Sequence, residues 1–252
     1  GPALSGYAIV VLGLAHTFAI AMLCYLPLIC ALFVLPLQER KSAPSHADRF
    51  FKKLRDGGKE AINTPLIFTS LSVVALNSFF VRGVLEIQPA IVGQILGGDS
   101  YALAIVTAAA GLGSLLASGW IGVGKMKPHV ILRCLWPMLA LGLLGGLCLL
   151  YATGLGAMAI VFTVTGFTAT VVGIGAQTLI QLEVSEAYRA RVMTWWSTVS
   201  FGNLTIGGIV IGFFGDITPI ETAIFMVTLI GIGLAIFELI KFPLLRDFFT
   251  KH

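Results

Sequence analysis

Long apolar segments, separated by short polar turns, fill most of the chain. They lie at about 1–13, 16–36, 66–96, 101–122, 130–152, 156–181, 192–214 and 220–242. Every segment after the first has the ~17–25 or more residues that a helix needs to cross ~30 Å of hydrocarbon. None alternates between apolar and polar residues with the period of two of a barrel strand. The pattern predicts an all-α, polytopic membrane protein with seven full spans and one partial span.

Composition agrees with lipid as the solvent of this chain. Hydrophobic residues make up 57% and charged residues 11% of the sequence, whereas soluble domains are typically ~25% charged. Too few polar side chains remain to cover a water-facing surface. The first apolar run, 1–13, is shorter than a span, so we expect the sequence to begin inside a helix.

The basic residues mark alternate ends of the apolar segments. They concentrate in four regions, at 37–64, 124–133, 182–191 and 241–251. The intervening turns, near His16, Asp99, Gly154 and Asp216, contain no Lys or Arg, and Arg82 alone departs from the alternation. Because cytoplasmic loops are enriched in Lys and Arg, the pattern predicts a plasma-membrane protein with its basic loops and C-terminus in the cytoplasm.

The region 37–64 is the one long polar stretch of the sequence. Within it, Phe50, Phe51 and Leu54 fall on one helical face, and basic residues crowd the other face. This pattern is typical of an amphipathic helix on an anionic membrane surface, and a flexible solvated linker is the alternative. Pro65 suits the first turn of the helix that follows.

Small residues recur four apart within several of the apolar segments. The sets are Ala110, Ser114, Ser118 and Gly122, then Gly142 with Gly146, and Gly208 with Gly212. Such spacing lets the backbones of neighbouring membrane helices approach closely. The sequence therefore predicts close helix packing along these faces.

Arg82 and Glu86 form the sharpest candidate site. They lie four residues apart, hence on one face of a helix, among apolar neighbours. Charges inside a membrane are costly and usually face a cavity or each other. The pair is interpreted either as a substrate-binding or proton-coupling site, or as a permanent ion pair or outer-interface pair without such a role. Gly83 and Pro89 flank it and predict either a broken helix, as at transporter binding sites, or a simple kink.

Four amides are further candidates for a polar path through the membrane. Asn77 and Asn203 lie within apolar segments, and Gln177 and Gln181 share one helical face near a basic end. Hydrogen bonds between helices are the alternative role for all four.

Sequence motifs give no support to catalysis or nucleotide binding. The run from Gly119 to Lys125 matches a phosphate-binding loop in part, but Met126 stands where Ser or Thr is needed, and the run ends an apolar helix. The four cysteines lack the spacing of a metal or redox site. We expect no enzymatic activity, no cofactor, no metal and no nucleic-acid partner.

Residues 177–193, QTLIQLEVSEAYRARVM, resemble the turn between helices ten and eleven of major facilitator superfamily exporters. The branch is that of the enterobactin exporter and the macrolide-efflux permeases. Arg189 and Arg191 fall on positions of this motif, while Ser185 and Ala190 replace a proline and a glycine.

Three further stretches resemble the same family in the same order. Gly1, Pro2 and Gly6 match the antiporter motif of helix five, and 82–89 matches a run in helix seven. Lys125 lies in a degenerate copy of the family's gating turn. The resemblance implies gating or motif roles for these residues and for Arg189 and Arg191.

The resemblance implies helices five to twelve of a major-facilitator bundle. In this register the chain has four parts, namely a remnant of helices five and six at 1–36, a cytoplasmic link at 37–64, the C-terminal six-helix bundle at 65–243 and a cytoplasmic tail at 244–252. Helices one to four of the same chain are then missing partners.

The function implied is secondary active transport by alternating access. The expected substrates are small amphipathic molecules, such as drugs or siderophores, exported at the expense of a gradient of protons or another coupling ion. The bilayer, the substrate and the coupling ion are the implied partners. The alternative is a non-transporting membrane fragment, a sensor or a scaffold.

Overall fold

The computed structural model describes residues 2–34, 47–98, 100–123 and 128–241, and every regular element within them is helical. The α-helices are α1 (Pro2–Val34), α2 (Ala47–Asn63), α3 (Pro65–Leu76), α4 (Gly83–Glu86), α5 (Gln88–Leu96), α6 (Ser100–Val123), α7 (Pro128–Cys148), α8 (Leu155–Glu183), α9 (Glu186–Ile217) and α10 (Ile220–Lys241). A π-helix, Asn77–Arg82, joins α3 to α4 and is called the π segment below. A 3₁₀ turn, Leu149–Tyr151, follows α7.

Within the described residues, seven helical stretches are long and apolar enough to cross a membrane. Each coincides with one of the seven full segments predicted from hydropathy. The all-α, polytopic membrane fold is therefore confirmed. Gly1, Lys125 and the predicted tail 244–252 lie outside the described residues.

Contacts divide the chain into two units, residues 1–53 and 54–252. In the first unit, α1 is one continuous helix of 33 residues, so the predicted turn near His16 between helices five and six is wrong. Gly13 is accommodated within α1, and the His16 ring pairs with the Leu12 carbonyl at 2.9 Å within the helix. Side chains from Ala15 to Phe33 are exposed apart from the half-buried Thr17, as lipid contact would allow.

In the second unit, α8 is the central helix. It packs along α6 and also against α7 and α3, whereas α9 packs on α3, the π segment and α4, and α10 bridges α9 and α7. The most deeply buried large side chains include Leu135, Leu139, Phe162, Met158 and Ile224. Their dispersion contacts, and not burial from water, hold helices together in lipid.

The interface between α6 and α8 depends on two glycines. A Cβ at Gly113 would collide with the Thr163 carbonyl, and one at Gly166 would collide with the Ala110 carbonyl. Ser114 adds hydrogen bonds to the carbonyls of Ala110 at 3.1 Å and of Gly166 at 3.3 Å. The predicted small-residue face thus packs closely at its first half.

Other glycines of the predicted small-residue sets differ in role. A Cβ at Gly142 or Gly146 would meet the Thr168 or Thr228 hydroxyl at 2.9 and 2.7 Å, so this pair does serve packing. A Cβ at Gly122 or Gly212 would meet nothing within 4 Å. Spacing alone could not tell these two groups apart, because it is blind to which helix lies opposite.

The helix predicted within 37–64 is present as α2, which continues to Asn63. Ala61 packs with Ile67, Ile180, Val184 and Val192 in a buried cluster at one end of the unit. A Cβ at Gly57 would approach the Arg191 Cβ to 2.7 Å. The final turns of α2 therefore dock against α8 and α9, and neither a free linker nor a wholly surface-bound helix describes them.

The turn predicted at 182–191 is shorter than expected. α8 continues to Glu183 and α9 begins at Glu186, so Arg189 and Arg191 are helical. Ser185 has an extended backbone and its carbonyl accepts from the amides of Tyr188 and Arg189. Glu186 in the first turn also favours a helix start, since it complements the helix dipole.

Candidate functional site

The segment predicted as one span at 66–96 is divided into four pieces. α3 is followed by the π segment, then by α4, and Ile87 separates α4 from α5. The Gly83 amide donates to the Ser78 carbonyl, five residues back, as a π turn requires. Pro89 is the second residue of α5, so the predicted helix break is present just before it.

Gly83 itself does not form the break but packs against α9. A Cβ at Gly83 would approach the Gly207 carbonyl carbon to 3.1 Å, and one at Gly207 would collide with the Phe79 carbonyl. The π segment and α9 are therefore in backbone contact. Single-turn π elements are frequent at functional sites.

Three polar side chains meet at this interface and are called the polar cluster: Ser78, Arg82 and Ser200. Arg82 Nη1 donates to Ser200 Oγ at 3.3 Å, and the hydroxyls of Ser78 and Ser200 lie 3.5 Å apart. Asn77 Nδ2 donates to the Ala169 carbonyl at 3.3 Å, and Asn77 Oδ1 is buried without a partner among the described residues. Because the π turn places residues five apart over one another, it brings Asn77 and Arg82 toward one face.

The polar cluster lies at mid-depth of the bundle. Ser200 follows the first residue of α9 by 14 residues and precedes its last by 17. At ~1.5 Å per residue these distances are about 21 Å and about 26 Å. Arg82, which bonds to Ser200, is therefore far from both ends of α9.

Arg82 and Glu86 do not form an ion pair within the described part of the chain. The guanidinium bonds to Ser200 and lies 6.0 Å from the centroid of the Phe201 ring. Glu86 is exposed, and its Cβ lies 3.6 Å from where a Cβ on Gly208 would be. Arg82 thus has a hydroxyl and an aromatic ring as neighbours, while Glu86 lies one turn further along the chain.

Residues of α9 on either side of its contact with the π segment face two different regions. Ser200, Gly207 and Ile211 lie in the contact and are buried. Phe201 and Gly208, beside Arg82 and Glu86, lie on one side. Asn203, Val210 and Phe214 lie on the other, where they line a cavity shared with α10. The charged pair and this cavity are therefore on opposite sides of the interface.

The side of α9 next to the charged pair also carries three threonines. Thr194, Thr198 and Thr205 are exposed there, and each hydroxyl donates to the carbonyl four residues earlier at 2.9–3.0 Å. Such local bonds satisfy the hydroxyl donors without any second helix. Together with Arg82 and Glu86 they give α9 and α4 a polar face at membrane depth.

The remaining predicted residues lie apart from the polar cluster. Asn203 donates to the Val199 carbonyl at 2.8 Å and faces the cavity. Gln177 is half-buried and Gln181 exposed near the end of α8. Pro2 and Gly6 belong to α1, in the other unit. Arg189 and Arg191 lie at the start of α9, where Arg191 stacks over Tyr188 at 5.4 Å.

Sequence reasoning missed Ser78, Ser200 and Gln88. The two serines join residues 122 positions apart, and no local pattern signals such a pairing. Gln88 is buried and accepts a hydrogen bond from Thr107 at 3.0 Å, which ties α5 to α6. The one sequence signal available for these three residues was a polar side chain within an apolar segment. Neighbouring threonines give the same signal, so it does not distinguish these residues.

The chemistry that this arrangement offers is recognition of charged groups. Among the described residues, no group of three or more His, Cys, Asp or Glu side chains could hold a metal ion. Arg82 presents a cation at mid-depth, and Glu86 presents a carboxylate on the same side of the helix. Such intramembrane charges mark ion or substrate pathways.

Comparisons with known proteins agree with this picture. A major-facilitator family model described as "Transmembrane secretion effector" matches residues 1–247. Neither the curated proteins nor the solved structures contain a significant match. The family match covers nearly the whole sequence, and the chain belongs to the transmembrane secretion effector family of major-facilitator transporters.

Proposed function

We propose that this transporter is a proton-coupled exporter of small amphipathic molecules in the enterobactin-exporter and macrolide-efflux branch, and that it works by alternating access. The observation that carries the proposal is Arg82, held at mid-depth beside an exposed Glu86 on a polar helix face. The same motifs at 177–193 and 82–89 support the branch. Transport, and not catalysis, is the activity that the family implies.

The energetic cost of Arg82 argues for a functional role. An arginine at the centre of a membrane helix costs about 2.5–3.5 kcal/mol on insertion scales. One hydroxyl contact at 3.3 Å and one ring contact offset much of this cost, since hydrogen bonds to charged groups contribute about 1.5–3 kcal/mol. The guanidinium donors other than the one bonded to Ser200 can bind an anionic group of the substrate.

Glu86 supplies the coupling step of the proposed cycle. With Glu86 ionised, Arg82 and Glu86 bind an anionic and a cationic group of the substrate. Protonation of Glu86 from the outer side neutralises the carboxylate and favours release of the substrate, so that proton and substrate occupy the site in turn, as export against an inward proton gradient requires. The one-turn spacing of the two residues lets both side chains reach one substrate molecule. The π segment beside them adds a backbone element that can change register.

The proposed orientation places the basic ends of the helices in the cytoplasm of a cell bounded by its plasma membrane. Arg189 and Arg191, the second of which has the end of α2 packed against it, then lie at the cytoplasmic mouth. We assign them a gating role, since their position lets α2 couple the mouth to the spans α8 and α9.

The test uses the complete reading frame that contains this chain, reconstituted in proteoliposomes under an imposed pH gradient. Glu86→Gln is expected to abolish gradient-driven flux while leaving the thermal unfolding temperature unchanged. Glu238→Gln, a half-buried carboxylate of α10, is the matched control and keeps full flux.

Each other outcome has a definite meaning. Wild-type flux in Glu86→Gln would end the case for Glu86. Proton coupling would be overturned if the flux of every substrate were the same with and without the pH gradient. Absence of flux for all candidate drugs and siderophores would favour the alternative of a sensor or scaffold.

A further inference from the structure

An apolar cavity of about 400 Å³ lies between the π segment, α9 and α10. Its wall includes Phe79 and Phe80 of the π segment, Val210 of α9 and Val227 of α10. The rings of Phe79 and Phe80 are 4.6 Å apart and tilted by 53°. A volume of this size falls within the ~300–1,000 Å³ of typical ligand pockets.

The mouth of this cavity faces the surroundings of the spans. Phe214, Ile230 and Leu234 line it and are 43%, 58% and 43% exposed. All three belong to helices that are long and apolar enough to cross a membrane. A ligand therefore reaches the cavity sideways, from the hydrocarbon region.

The side chains that line the cavity restrict its occupant to an apolar group. Asn203 is the only polar residue of the described lining, and its amide already donates to the Val199 carbonyl. A water molecule needs two to four polar partners, so an apolar cavity stays dry. An empty cavity would leave its wall residues without dispersion contacts on one side. The acyl chains of the surrounding lipid are apolar and adjacent, so they can supply those contacts.

The length of the cavity suits one leaflet. Phe214 is three residues from the end of α9, whereas Leu234 is 14 residues into α10. At ~1.5 Å per residue, Leu234 lies about 21 Å from the start of α10. Along the helix axes the cavity thus covers about 16 Å, close to the about 15 Å of half of a ~30 Å hydrocarbon core.

We propose that this cavity binds one acyl chain of a bilayer phospholipid. The site is separate from Arg82 and Glu86, which lie on the opposite side of the α9 contact. The bound chain touches Phe79 and Phe80, whose neighbours Ser78 and Arg82 bond to Ser200. Occupancy therefore holds the π segment against α9.

The test uses phosphatidylethanolamine with a diazirine in one acyl chain, mixed into proteoliposomes that contain the intact protein. After irradiation, mass spectrometry maps the lipid adducts. Adducts are expected to concentrate on 75–80 and 227–234 over the equally apolar, exposed surface at Leu115 and Leu116.

A matched pair of variants in α10 sharpens the mapping. Leu234→Trp narrows the mouth, and adducts on Phe79 and Phe80 fall about tenfold because the chain contacts are lost. Leu229→Trp is the control, since Leu229 has similar exposure at 46% but does not line the cavity. Both positions are exposed, so both variants are expected to fold.

Adducts spread evenly over all exposed apolar surfaces would overturn the proposal, as would equal labelling in Leu234→Trp and Leu229→Trp. Labelling is measured without any transport. A failure of the proposed transport function therefore leaves this test intact, and the reverse is also true.

Discussion

The α6–α8 interface and the interface between the π segment and α9 both depend on paired glycines. At the first, Gly113 and Gly166 each lie against a carbonyl of the opposite helix. At the second, Gly83 lies against the backbone of Gly207, and Gly207 lies against the Phe79 carbonyl. The first interface adds the hydroxyl of Ser114 and a contact between the rings of Trp120 and Phe167. The second adds two serines, an arginine and a π-helix.

The difference shows that close packing and polar chemistry are separable in this bundle. Glycine contacts bring two helices together by dispersion and need no charge. At the π segment–α9 interface, which also contains Arg82, a π turn replaces the regular α-helix and changes the direction of its side chains. The α6–α8 interface is therefore interpreted as a fixed support, and the π segment–α9 interface as the working one.

The largest expected effect comes from filling the support interface. Gly166→Leu forces a side chain into the Ala110 carbonyl, and α6 must separate from α8 at a cost of at least about 3 kcal/mol. Thermal unfolding in detergent measures the loss. Gly119→Leu, where a Cβ meets nothing within 4 Å, is the control and should unfold as the wild type does. Equal stability of the two variants would show that α6 and α8 are not in backbone contact.

A smaller loss is expected at the working interface. Gly207→Ala pushes against the Phe79 carbonyl and lowers stability by about 1–3 kcal/mol, because the π turn can give way where a regular helix cannot. Flux should fall together with stability, since the π segment positions Arg82. Gly212→Ala on the same helix has open space and is the comparison. A larger loss than in Gly166→Leu would reverse the assignment of support and working interfaces.

Arg82→Gln should separate transport from stability. Removing the cation eliminates a charge-assisted contact with substrate, and flux falls about tenfold or more. The unfolding free energy is unchanged or higher, since the cost of holding a charge at mid-depth disappears. Flux assays and thermal unfolding are measured on the same preparation. Arg82→Lys, which keeps the charge, should restore part of the flux, and a variant that loses stability but not flux would assign Arg82 to structure.

The smallest expected effects come from single hydroxyls. Ser200→Ala and Ser114→Ala each remove hydrogen bonds at one interface, and each should cost about 0.6 kcal/mol, the mean for such bonds in membranes. Only Ser200→Ala should also change flux, because Ser200 holds Arg82. Identical flux in both variants would argue against a positioning role for Ser200.

Local sequence carried the prediction of the spans and of much of the packing. The seven full segments were correct because lipid leaves no alternative to ~20 apolar residues in a helix. Gly142 and Gly146 were correct as packing residues, whereas Arg82 and Glu86 fall in two successive elements, the π segment and α4. The predicted turn near His16 was wrong because a polar residue within an apolar run does not by itself end a helix. The roles of Arg82 and Glu86 in transport stay predictions.

By itself, the sequence determined that this chain crosses a membrane, which seven described segments are long and apolar enough to do so, and that Arg82 lies within one of them. These features depend on transfer of residues from water to lipid, which each segment decides alone. Only the tertiary structure decided that Arg82 bonds to Ser200, that Asn77–Arg82 forms a π turn, and that the charged pair and the apolar cavity flank opposite sides of α9. Those features depend on contacts between residues more than a hundred positions apart, and no local pattern encodes them.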